Sequence, residues 1–64
     1  MTVNTTMGKI TASKDVLSRL SVALYKAADY VQEKEGVEKH DVRRYNKAAT
    51  EIVCELITAG YYHD

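Results

Sequence analysis

The residues best equipped for chemistry in this chain are five basic side chains packed into nine positions: Lys39, His40, Arg43, Arg44 and Lys47. On a helix, Lys39, Arg43 and Lys47 share one face at i, i+4 spacing, and His40 and Arg44 share another. Such a cluster suits a phosphate or an acidic partner, so Lys39, Arg43, Arg44 and Lys47 form the candidate nucleic-acid patch. Cations at a helix N-terminus oppose the macrodipole, which makes this placement locally unfavourable. The plainer reading pairs the cluster with Asp29, Glu33 and Glu35 at the adjacent end of an antiparallel neighbour, each exposed pair giving ~0–1 kcal/mol.

No second constellation assembles a reactive centre. Neither a ligand set nor a nucleophile is arranged around His40 or His63. Cys54 is the single cysteine, so the sequence provides neither an intrachain disulfide nor a cysteine zinc site. Apart from Lys47, no basic neighbour on its helical face would lower its pKa. There is no Gly-rich phosphate loop, no paired-carboxylate pocket and no metal motif. The expectation is a non-enzymatic protein with no cofactor and no metal.

The elements that must position these side chains are two helices. Leu17, Leu20, Leu24, Ala27 and Val31 recur at spacings of three and four, and Val42, Tyr45, Ala49, Ile52 and Leu56 repeat the pattern. That periodicity marks amphipathic helices. Ser13 is a plausible N-cap for the first, with Asp15 suited to the positive end of its dipole. Gly36 is its natural stop, giving about 22 residues at 1.5 Å per residue. The second helix starts between Val37 and Asp41, runs to about Ala59 and stops at Gly60. The short link around Gly36 makes the two antiparallel neighbours. Both apolar arcs exceed the ~100° of a simple core-facing helix, because Val16, Ala23, Ala27, Ala48, Val53, Ile57 and Ala59 widen them.

Residues 1–12 differ in kind. Thr2, Val3, Thr5, Thr6, Ile10 and Thr11 are β-branched and Gly8 interrupts them, which predicts an N-terminal arm or a short strand. A lone strand needs a partner for its ladder groups, and a symmetry mate is one candidate.

At 64 residues with 9 Lys+Arg against 9 Asp+Glu, the chain is one domain without a global field to recruit nucleic acid or acidic membrane. A chain this short is marginally stable alone, and oligomerisation is the remedy its composition leaves. The expected architecture is therefore mainly α: an arm or short strand over 1–12, then an antiparallel helical hairpin over 13–64, completed as an intertwined homodimer. Leu17, Leu20, Leu24, Val31, Ile52, Val53, Leu56 and Ile57 would form its shared core. Val22 and Tyr25, which point off the main stripe, and Tyr61 and Tyr62 after the second helix stop, form a candidate partner surface. The N-terminus has no apolar h-region and no run approaches the ~20 residues of a membrane span, so a cytoplasmic location and no membrane partner are expected.

The length, the Thr-rich start and the strand-then-two-helices organisation resemble the small early proteins of lambdoid coliphages encoded between the exonuclease and excisionase genes. That resemblance implies a dimeric, non-enzymatic protein of the host cytoplasm. It would promote lytic development by engaging a host or phage protein. A β-prone arm before two helices is also similar to ribbon–helix–helix DNA-binding regulators, in which strands from two chains enter the major groove. The ribbon candidates would be Thr2 to Thr6 or Lys9 to Thr11. The chain departs from that pattern in its long first helix, in Gly36-Val37-Glu38 where a Gly-x-Ser/Thr turn is expected, and in having Lys9 as the arm's only basic residue.

Overall fold

The computed structural model describes residues 1–35 and 40–62. Chain order is β1 (Thr2–Thr5), β2 (Gly8–Thr11), α1 (Lys14–Glu35) and α2 (His40–Thr58). The protein is mainly helical, as its periodicity predicts. Gly36, Val37, Glu38, Lys39, His63 and Asp64, and with them the expected stop of α1, lie outside the described residues.

The N-terminal segment is a β-hairpin, not a single strand awaiting a second chain. β1 and β2 pair antiparallel in the register Thr2↔Thr11, Val3↔Ile10, Asn4↔Lys9, Thr5↔Gly8. Met1 and Ala12 extend the ladder: the Ala12 amide donates to the Met1 carbonyl and the Met1 amino group to the Ala12 carbonyl, both over 3.0 Å. The turn depends on Gly8, whose φ of 109° suits a residue without Cβ. Thr5 reinforces it: its Oγ1 accepts from the Met7 amide at 3.0 Å and donates to the Gly8 carbonyl at 2.7 Å. Thr2 and Thr11 face each other across the strands, with their hydroxyl oxygens 2.9 Å apart.

Ser13 caps α1 as expected, its hydroxyl accepting the Val16 amide at 3.2 Å. α2 ends in a Schellman motif. Gly60 takes φ 79°, its amide donates to the Ile57 carbonyl at 3.0 Å, and the Tyr61 amide donates to the Leu56 carbonyl at 2.9 Å. The helices are antiparallel: Ser18 meets Tyr62 and Tyr25 meets Thr50, so α1 numbers rise as α2 numbers fall.

The core has two zones. At the end where α1 begins and α2 finishes, Leu17, Ile52 and Leu56 are sealed by Val3 of the hairpin, with Met1, Ile10, Ala12, Leu20, Leu24 and Tyr61 packed around them. Towards the helix–helix link, Val42, Ala28, Ala48 and Ala49 are buried, and their small side chains let the helices approach closely. Among the described residues the one buried polar side chain is Ser21, which donates to the Ser18 carbonyl at 2.7 Å. The hairpin thus supplies, within one chain, part of the cover that the wide apolar arcs require. Leu20, Leu24, Val31 and Val53 stay half-buried, and Ile57 is exposed. Among the described residues no helix is long and apolar enough to cross a membrane.

Candidate functional site

Two hydrogen bonds mark one face of the molecule, one between the helices and one from α1 to the turn after α2. The Tyr25 and Thr50 hydroxyl oxygens lie 3.0 Å apart. Thr50 spends its single proton on the Asn46 carbonyl at 2.9 Å, so Tyr25 is the donor. Nearer the other end, the Ser18 and Tyr62 hydroxyl oxygens lie 3.2 Å apart. Helical spacing places an apolar strip between these two links. Val22 stands four residues after Ser18 and three before Tyr25, on the same side of α1. Val53 and Ile57 stand three and seven residues after Thr50, on the same side of α2.

This strip is open to solvent. Val22 is 50% exposed, Ile57 59%, Tyr62 48% and Tyr25 38%. Single outward apolar residues are ordinary, but Val22, Tyr25, Ile57 and Tyr62 are four large ones whose positions fall beside the two links. The Tyr25 and Tyr62 hydroxyls are engaged in the two links.

Tyr61 behaves differently from Tyr62. Its ring packs on the core, and its hydroxyl donates to the Asp15 carboxylate over 2.6 Å. That bond, with some desolvation and the negative charge of Asp15, raises the phenol above its ordinary value of 10.0. The Tyr62 ring stands edge-on to it, with centroids 5.0 Å apart and planes at 86°. Of the four residues expected as a partner surface, Val22, Tyr25 and Tyr62 share the strip, while Tyr61 is the bracket that ties the chain's end to α1. Ile57, expected in a core shared between two chains, is exposed within the single chain and stands on the same side of α2 as Val53. The helical wheel could have placed it there, because Ile57 falls on the margin of the α2 arc.

Arg44 pairs with Asp41 of its own helix at 3.7 Å, both side chains being about half exposed. Of the expected partners Asp29, Glu33 and Glu35, the first two make no ion pair among the described residues, and the Glu35 side chain lies outside them. Lys39 lies outside those residues. Lys47 points along a different flank of α2, where an open groove of about 540 Å³ runs beside Asn4, with Glu51, Cys54 and Glu55 on its wall. Cys54 is exposed there. The Glu51 carboxylate accepts the Thr6 amide at 2.7 Å and pins the hairpin to α2.

The ribbon that a ribbon–helix–helix protein builds from two chains is here closed within one. Comparison with known proteins finds no matching family model, no similar curated protein and no similar solved structure.

Proposed function

We propose that the chain is a small, non-enzymatic interaction module, working as a homodimer, that binds a partner protein through the strip Val22–Tyr25–Val53–Ile57–Tyr62. The observation that carries this reading is that fixed, exposed apolar face. A short amphipathic helix laid across the strip is the contact it suits, because an exposed apolar face takes i, i+3, i+4, i+7 anchors. In the setting implied by the resemblance to coliphage early proteins, the partner is a host or phage protein and the consequence is a bias towards lytic development.

Capture from bacterial lysate, with and without nuclease, tests it. The reading expects a protein partner that survives nuclease and moderate salt, and that Ile57→Lys loses while helicity and melting temperature are unchanged. Recovery of DNA with steep salt dependence, abolished by replacing Arg43 and Arg44 with alanine, would instead support a DNA-binding regulator.

A further inference from the structure

The outer edge of β1 is unprotected. Hydrogen-bonded pairs alternate along an antiparallel ladder, and Met1–Ala12 is one such pair. Val3–Ile10 and Thr5–Gly8 are therefore the next two, and Thr2 and Asn4 turn their backbone N–H and C=O groups away from β2. Thr6 has the same parity, and its amide is taken by Glu51. The outward groups of Thr2 and Asn4 have no partner among the described residues. Natural sheets blunt such an edge with lysine, proline or a bulge. The outer edge of β2 carries Lys9, whereas β1 reads Thr-Val-Asn-Thr with neither charge nor proline.

The two ends of the helix flank beside this edge are complementary in charge. Lys47, Glu51 and Glu55 form one i, i+4, i+8 row along the groove. Glu51, at the midpoint, is engaged with the hairpin. Lys47 and Glu55 lie about 12 Å apart along the helix axis, opposite in charge, each without a partner among the described residues. An isologous interface sets residue i against j′ and j against i′. A two-fold axis near Glu51 brings each Lys47 to the Glu55 of a second copy, forming two cross pairs from one row.

We infer that two copies of the chain join edge to edge through β1, making a four-stranded sheet ordered β2-β1-β1′-β2′, with Lys47 of each copy opposite Glu55 of the other. The inference rests on the reading of the protein as a dimeric module and specifies where the copies meet.

Sedimentation velocity on the full chain tests it, over a range of concentrations, with circular dichroism to confirm folding. Asn4→Pro removes an amide that points away from β2, so it spares the intrachain ladder and blocks the added strand. It is expected to leave the protein monomeric. Lys47→Glu sets like charges opposite each other twice and should weaken association about tenfold, while the double variant Lys47→Glu/Glu55→Lys should restore it. Ile57→Lys should leave the dimer intact. A wild-type chain that stays monomeric throughout would overturn both the edge pairing and the dimeric reading. A dimer that Asn4→Pro leaves intact, that the charge swap fails to restore, or that Ile57→Lys dissolves would overturn the edge pairing alone.

Discussion

The Tyr61 hydroxyl donates to the Asp15 carboxylate over 2.6 Å, joining residues 46 apart in sequence. It ties the stop of α2 to the first turn of α1 at the end of the molecule where the hairpin closes the core. The bond favours the neutral phenol, so the Tyr61 pKa is raised in the folded state. A raised folded pKa contributes stability that is fully present below the unfolded value near 10 and is lost as pH rises through the folded value. Asp15→Asn removes the charged acceptor. Ultraviolet titration of the phenolates should show one tyrosine moving back towards the ordinary range. An unchanged titration curve would mean that the bond does not persist in solution.

Adjacent residues on α2 should respond in opposite ways to truncation. Leu56 is fully buried against Val3, Leu17 and Ile52, so Leu56→Ala should cost about 3–5 kcal/mol of unfolding free energy. Ile57 is exposed, so Ile57→Ala should stay within about 0.5 kcal/mol. Urea denaturation of both variants checks the contrast, and equal losses would place Ile57 in a core after all.

Gly8→Ala isolates a conformational cost. A Cβ at Gly8 meets nothing within 4 Å, so crowding is absent and only the φ of 109° opposes the change. The expected loss is about 1–2 kcal/mol, accompanied by exposure of Val3 as the hairpin loosens. Denaturation combined with amide exchange at Ile10 would report both.

Ser13→Ala should remove the cap on the Val16 amide at a cost of about 1 kcal/mol, and Ser13→Gly should cost less. Thermal melts ordered wild type, Gly, Ala would agree with this, and an Ala variant as stable as wild type would show that the cap contributes nothing.

The helices were legible because their signals are local. Three-and-four spacing, Ser13 before Lys14 and Gly60 after the last apolar residue each act within one or two turns. The hairpin was only half legible. Its turn residues Thr6 and Met7 lack the Asn-Gly or Asp-Gly signature of a tight hairpin, so β-branched composition indicated a strand but not a second strand paired to it. Val3 illustrates the consequence: its burial against Leu17 and Leu56 depends on that unread turn, and without it the helical arcs read as needing other helices for cover. The apolar strip was legible in Val22, Tyr25 and Tyr62. Which tyrosine faces outwards was not, because Asp15 and Tyr61 meet only after the helices pair.

The central claim is that the strip between the Tyr25–Thr50 and Ser18–Tyr62 links is the partner surface. Methyl-labelled protein mixed with clarified bacterial lysate tests it most directly by nuclear magnetic resonance. Selective broadening of Val22, Val53 and Ile57 methyl signals, with the buried Val3 and Val42 methyls unaffected, is the expected result. Broadening confined to backbone amides around Arg43 and Arg44, and abolished by nuclease, would contradict it and move the site to the basic cluster.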